Sequence, residues 1–324
     1  MITVGITEYG DAGKLQVFES PSLSPGIGEV RILQRAIGVN PLDISQRSGA
    51  AQLPQLPSVL GLEGAGDVAE VGQGVEGISP GDRVAYIMGP VGAYAQERVL
   101  PASRLVKIPD GITYEQAAAV LFKGITAQYL LHTTYAVGPG TTMVLYGASG
   151  ALGQLMAPWA KSLGATVIGV VSKASSAARA VEGGCDSVFI FDPELLAGQV
   201  AGVTDGAMAD VVYDSVGRAS FETSLDCLRP RGLMVSFGAS TGVPDPVSVA
   251  TLSDKGSLFL TRPSLAAHTA DLHEYRDRAA HVWRAVESGT ITPRVAESFP
   301  LSDAAKAHLA IETGSAHGAV VLLP

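Results

Sequence analysis

Glycines 147, 150 and 153 stand in the run Tyr146-Gly147-Ala148-Ser149-Gly150-Ala151-Leu152-Gly153, between an apolar stretch at 142–146 and a helical pattern at 152–163. A tight turn lacking Cβ atoms lets backbone approach a pyrophosphate, and the helix that follows aims unbonded N–H groups at the anion. The spacing is G-x-x-G-x-x-G, not the strict G-x-G-x-x-G, and a tight turn in an ordinary α/β core is the competing reading; the strand–turn–helix setting favours a nucleotide. NAD sites carry an acid about 20 residues further on, to meet the ribose. Here Gly169-Val170-Val171-Ser172-Lys173 has none. A carboxylate there would repel a 2′-phosphate, whereas Ser172 and Lys173 suit one; the alternative for Lys173 is a solvated surface lysine.

Such a turn needs a parallel sheet behind it. Strand patterns at 142–146, 166–171, 187–191, 211–215 and 233–237 alternate with helical patterns at 152–163, 174–182 and 220–228. That alternation predicts an α/β fold with a doubly wound parallel sheet of the Rossmann type. The first 110 or so residues are rich in Gly and Pro, with short strands at 30–33, 66–71 and 83–87, and read as a second, mainly β unit. A capping box at Thr113 and Gln116 opens a helix over 116–131. The tail gives helices at 272–288 and 302–313 and a strand at 318–322, which can return to the first unit and make it discontinuous.

The 324 residues suit two domains. Net charge is −9 with no long Lys/Arg run, which disfavours nucleic acid. Two cysteines, Cys185 and Cys227, no C-x-x-C, no signal-peptide pattern and no apolar run of membrane-spanning length point to a reduced, cytoplasmic protein without a membrane partner.

Several segments together resemble the quinone oxidoreductases of the medium-chain dehydrogenase/reductase superfamily, the zeta-crystallin-like branch. They include Ala36-Ile37-Gly38-Val39-Asn40, Arg47-Ser48-Gly49, Gly81-Asp82-Arg83-Val84, Gly92-Ala93-Tyr94, Glu115-Gln116-Ala117-Ala118-Ala119 and Lys123-Gly124-Ile125-Thr126. The strongest are Val211-Val212-Tyr213-Asp214-Ser215-Val216-Gly217, Arg231-Gly232-Leu233-Met234-Val235-Ser236-Phe237-Gly238, and Lys255-Gly256-Ser257-Leu258 with Thr261-Arg262-Pro263-Ser264-Leu265. The match runs in order over nearly the whole chain. It implies a GroES-like catalytic domain at 1–122 and 267–324, a Rossmann domain at 123–266, and a cleft between them for NADPH and substrate. It further implies that Asn40 and Thr126 lie beside the nicotinamide and that Gly147, Gly150, Ala151, Leu152 and Gly153 cradle the pyrophosphate. Pro41, Leu42, Ser172, Lys173, Ser215, Phe237, Gly238, Thr261, Arg262 and Pro263 line the rest of the cofactor groove. Asn40 as the stabiliser of a buried turn, and Thr126 as a helix residue bonding its own backbone, are the plainer alternatives.

The zinc-containing relatives bring a Cys and a Gly-His-Glu to the metal. Here those stretches read Asn40-Pro41-Leu42-Asp43 and Gly61-Leu62-Glu63, and His132, His268, His273, His281, His308 and His317 are scattered. No metal site is expected, and without a Lewis acid ordinary alcohol oxidation is disfavoured. A quinone or enone is already electrophilic and asks mainly for positioning and a hydrogen bond to its developing oxyanion. Tyr129 and Tyr94 can donate one, although core packing suits both; Lys123 either hydrogen-bonds in the cleft or forms an ion pair. Family members that grip NADPH often carry Lys, Tyr and Arg where Ser176, Phe191 and Gly314 stand, and many carry Tyr at Ser45. Lys173 and Arg179 can compensate, so NADPH is the expected cofactor, with NADH open. The expectation is NADPH-dependent quinone reduction by a homodimer; the alternatives are an enone or acrylate-type alkene reductase and a non-catalytic, crystallin-like nucleotide binder.

Overall fold

Between Val30 and Ala36 every second side chain is buried, and from Ala36 to Val39 all are. Such a strand begins with one face on a core and ends inside it. It is the spine of the first of two compact units in the computed structural model, which describes residues 1–324. The first unit comprises residues 1–124, 271–287 and 293–324; the second comprises 125–270 and 288–292.

The chain opens with β1 (Ile2–Ile6), β2 (Gln16–Glu19), the spine β3 (Glu29–Val39), α1 (Pro41–Ser48), β4 (Ser58–Val59), β5 (Glu63–Val71), β6 (Arg83–Ile87), β7 (Glu97–Pro101), β8 (Val106–Lys107) and α2 (Tyr114–Tyr129). There follow β9 (Thr142–Tyr146), α3 (Gly153–Ser162), β10 (Thr166–Val171), α4 (Ala177–Glu182), β11 (Ser187–Ile190), α5 (Leu196–Val203), β12 (Ala209–Asp214), α6 (Phe221–Asp226), β13 (Leu228–Ser236), α7 (Val249–Asp254), β14 (Phe259–Thr261) and α8 (Leu265–His268). The tail is α9 (Leu272–Glu287), β15 (Val295–Pro300), α10 (Ala304–Glu312) and β16 (Ala319–Leu323).

In the first unit a seven-stranded sheet runs β15-β16-β3-β5-β6-β8, with β7 also on β3, beside a three-stranded sheet β2-β1-β4. β3 takes β5, β7 and β16 antiparallel, and Val39 pairs with Val320. Val4, Ile32, Leu60, Tyr86, Tyr94 and Leu322 share one core, each fully buried apolar side chain contributing about 1.5–3 kcal/mol. Asp271 caps α9 by accepting from Glu274 N–H at 2.8 Å.

The second unit holds a six-stranded sheet in the order β11-β10-β9-β12-β13-β14, parallel throughout. Val144, Ile168, Val212, Leu196, Phe221 and Met234 form its core. The order reverses beside β9, the strand that feeds the glycine turn, where doubly wound sheets bind ligands. A doubly wound parallel sheet with a mainly β partner is the fold class that the alternating patterns predict.

Several elements depart from expectation. The helix expected over 116–131 begins at Tyr114, and its α-helical turns stop at Tyr129, passing into a π-helical turn over Leu130–Thr134. Residues 174–182 form a 3-10 turn, Ala174–Ser176, before α4. The edge strand that 256–265 suggests shrinks to Phe259–Thr261, since Pro263 has no N–H and the Ser264 hydroxyl caps α8 by accepting from Ala267 N–H at 3.2 Å. Helices α5 and α7 have no counterpart in the expected pattern.

Candidate active site

Two clusters concentrate the residues with chemical potential, one in each unit. In the first, Asn40 follows β3 as the N-cap of α1, in extended conformation (φ −129°, ψ 154°), and Pro41 opens α1, a position where its fixed φ and missing N–H cost nothing. Asp43 reaches back to accept from Asn40 N–H at 2.8 Å, one arm of a capping box. The Asn40 side chain is committed elsewhere: Nδ2 donates to Glu63 Oε2 and Oδ1 accepts from Lys123 Nζ, both at 2.8 Å. A carboxylate only accepts and an ammonium only donates, so these partners fix which way the amide faces.

Glu63, at the start of β5, is fully buried. Its Oε1 accepts from Phe122 N–H at 2.8 Å, and its Oε2 lies 3.8 Å from Lys123 Nζ. A Cβ on Gly38 would collide with this carboxylate and with the Ala118 carbonyl, so glycine there makes room for both. Burial pushes the Glu63 carboxyl upward, against the pull of Lys123. Lys123 thus combines both alternatives, donating a hydrogen bond to Asn40 and lying within ion-pair range of Glu63.

A second chain leaves Asp43. Tyr94 Oη lies 3.3 Å from Asp43 Oδ2 and 2.8 Å from His308 Nε2, while Arg47 Nη1 lies 3.3 Å from His308 Nδ1. A guanidinium cannot accept, so Nδ1 must, leaving the proton on Nε2. His308 thus donates to Tyr94, and Tyr94 donates to Asp43. Arg47 is itself gripped by Glu312 through two bonds, 3.0 and 2.6 Å. Burial, then the Arg47 charge, pushes His308 down to about 3; burial pushes Asp43 up to about 7. Asp43 Oδ1 and the neighbouring Gln46 Oε1 are buried acceptors with no partner. Asp43, Arg47 and His308 were absent from the expected site, although Asn-x-x-Asp before a helical stretch is a readable cap signal.

In the second unit, β9 runs into the glycine turn. Gly147 has φ +65°, a left-handed conformation that favours glycine. A Cβ on Gly153 would strike the Gly147 and Ala148 carbonyls, so α3 can start this close to the strand only with glycine. No side chain caps α3, and the N–H groups of Ala151, Leu152 and Gly153 meet no backbone carbonyl. This cradle fits a dinucleotide's pyrophosphate. At the end of β12, the buried Asp214 accepts from Val216 and Gly217 N–H at 2.7 and 3.0 Å and from the Ser220 and Ser224 hydroxyls at 2.6 and 2.7 Å. It locks the loop that carries Ser215. Missing Cβ atoms matter again at Gly238, where one would strike Ser215 backbone.

The remaining expected site residues divide between the units. Pro41 is exposed, Leu42 half-buried, and Gly314 exposed with φ +67° in the first unit. In the second, Ser172 and Lys173 are exposed after β10, Ser176 is buried, and Phe191 packs edge-on to Tyr146 at 5.8 Å. Gly150, Phe237, Thr261 and Pro263 are half-buried, and Arg262 donates to Ser236 Oγ at 3.4 Å. Thr126 retains 9% exposure and Tyr129 2%; Tyr129 stacks on His268 with centroids 4.1 Å apart, which is the core-packing alternative for that ring.

No three His, Cys, Asp or Glu side chains gather as metal ligands, so this donor set does not fit a zinc ion. No helix is long and apolar enough to cross a membrane.

The alcohol dehydrogenase GroES-like domain family matches residues 26–110, and the zinc-binding dehydrogenase family matches 184–322. A quinone oxidoreductase of Pseudomonas aeruginosa is 43% identical, over 98% of this chain and 97% of that protein. A 2-haloacrylate reductase of a Burkholderia species is 42% identical over 93% and 92%. The crystal structure of Escherichia coli quinone oxidoreductase complexed with NADPH superposes with a TM-score of 0.97 at 39% identity, covering all of both chains.

Proposed function

Because the chain belongs to the quinone oxidoreductase family of the medium-chain dehydrogenase/reductase superfamily, we propose that it is an NADPH-dependent reductase of quinones that works without zinc. The observation that carries this reading is the state of Asn40. At the position of the zinc relatives' cysteine stands an amide spent on Glu63 and Lys123, and Leu62 stands for their histidine. With no thiolate or imidazole to seat a Lewis acid, the acceptor must bring its own electrophilicity, as a quinone does.

Gly147, Gly150 and the uncapped start of α3 would hold the pyrophosphate, with Ser215, Phe237, Gly238 and the Thr261–Pro263 stretch along the groove. NADPH supplies a hydride when bound. Lys173, exposed beyond β10 with no acid beside it, would meet the 2′-phosphate, and Arg179 would assist. Replacing Lys173 by Glu should cut kcat/KM for NADPH about tenfold or more while sparing NADH; equal loss with both cofactors would refute this role.

A second reading is supported by the 2-haloacrylate reductase relative and by Ser45, half-buried on α1, where many family members have a bulkier Tyr. Reduction of an activated alkene uses the same hydride geometry. The deciding assay follows NADPH and NADH oxidation against benzoquinone, naphthoquinone, a simple enone and a primary aldehyde. Rapid quinone turnover with NADPH supports the first reading; turnover with the enone alone replaces it by the second. We also propose a homodimer through the β14 edge.

A further inference from the structure

The cluster of Asn40, Glu63 and Lys123 is a built seat for a cation. Gly38 clears space for the Glu63 carboxylate, and Phe122 N–H and the Asn40 amide hold its two oxygens. Asn40 Oδ1 then faces the ammonium at 2.8 Å, with Glu63 Oε2 at 3.8 Å. Every partner in this seat is itself fixed by a second bond, so the ammonium is placed by covalent neighbours and packing together.

Of the three residues only Lys123 reaches the surface. Its side chain is 9% exposed and that of Glu63 is 0% exposed; Asn40 is also 0% exposed. An ammonium carries three N–H groups. Asn40 takes one, and Glu63 at 3.8 Å is beyond hydrogen-bond range but close enough to attract. At least one N–H is unspent, on the one member of the cluster that an incoming molecule can touch. An ion pair of purely structural purpose would be expected to spend its donors internally.

We propose that Lys123 is a catalytic residue whose ammonium donates to the acceptor's carbonyl oxygen and balances the negative charge that reduction builds there. Asn40 and Glu63 are its positioning residues. The assignment rests on the proposed reduction. In that reaction the acceptor gains a hydride from the nicotinamide, which is oxidised; one π-electron pair moves onto the acceptor's carbonyl oxygen; and water supplies the proton that completes the product. Lys123 ends charged as it began. A protein cation thus does what the metal does in the zinc-dependent relatives, and Asn40, which the family resemblance puts beside the nicotinamide, acts from behind it.

The test uses Lys123→Met and Lys123→Arg in the full chain, with two readouts. The first is binding of 4-nitrophenol in the presence of NADP+, followed by the yellow colour of the phenolate, a stable stand-in for the developing oxyanion. Wild type and K123R should lower the apparent pKa of the bound phenol, and K123M should not. The second is turnover of naphthoquinone: K123M should lose about a hundredfold in kcat with KM little changed, and K123R should recover most of it. Should K123M fail to fold by circular dichroism, Lys123→Gln, which keeps a donor for Asn40 but no charge, replaces it. A wild type with no preference for the phenolate, a K123M that retains the preference, or a K123M with undiminished kcat overturns the proposal. If wild type oxidises NADPH with none of the quinone or enone acceptors, the proposed reduction fails, and the phenol titration still judges Lys123 as an oxyanion donor.

Discussion

Two buried groups in one hydrogen-bonded chain have proton affinities displaced in opposite directions. Asp43 rises to about 7 from the ordinary 3.8, so between roughly pH 4 and 7 the folded chain keeps a proton that the unfolded chain has released. Its contribution to stability falls as pH rises through that window and is level above it. His308 sinks to about 3 from 6.5, so between about pH 3 and 6.5 the unfolded chain takes a proton that the folded chain refuses. Its contribution rises through that window. The two slopes oppose each other from about pH 4 to 6.5; the raised Glu63 adds to the falling one above about pH 4.5, and the lowered Glu312 adds to the rising one only below about pH 4.5. Urea unfolding at a series of pH values should therefore show each replacement unmasking its opposite. Relative to wild type, Asp43→Asn should make stability climb more steeply with pH, and His308→Gln should make it decline. Parallel curves for all three proteins would mean that the displacements are not there. Tyr94→Phe removes the link between the two groups, leaving His308 Nε2–H without an acceptor; it should cost about 1–3 kcal/mol at neutral pH.

At the scale of elements, the site depends on where strands end and helices begin. Gly38→Ala should destabilise by about 1–3 kcal/mol, as overpacking does, because β3 cannot then pass Glu63 and α2 at this distance. Gly153→Ala should destabilise similarly, since its Cβ would strike the Gly147 and Ala148 carbonyls, and should also weaken NADPH binding, measured by fluorescence titration. Much of this was legible in the chain. The alternating strands and helices of the second unit announced a doubly wound sheet, because period-2 and period-3.6 patterns are local properties. The glycine turn was legible for the same reason. What escaped was non-local. Asn40 lies 83 residues from Lys123 and Arg47 lies 261 from His308, and no pattern within either segment says that they meet. The scattered histidines looked inert for that reason, although one is buried against Tyr94 and an arginine. The short β14 was overestimated because residue composition at 256–265 favours a strand while Pro263 and the Ser264 cap forbid its extension.

At the scale of the whole molecule, β14 closes one edge of the six-stranded sheet with Phe259 61% and Leu260 38% exposed. An uncovered edge with apolar side chains invites another strand. Sedimentation at micromolar concentration should show a dimer, and Phe259→Glu should shift it to monomer; a wild-type monomer would refute the pairing.

The pairing of β16 with β3 also has a consequence for synthesis. The second unit's six strands are complete once residue 261 has emerged, whereas the seven-stranded sheet of the first waits for residues 319–323. A translating chain therefore carries the inner end of β3, Ile37–Val39, without its β16 partner for almost the whole of its elongation, although β5 and β7 already flank the rest of the strand. The nascent first unit is the segment a chaperone would be expected to shield, and limited proteolysis of stalled chains should cut near β3 while sparing β9 to β13.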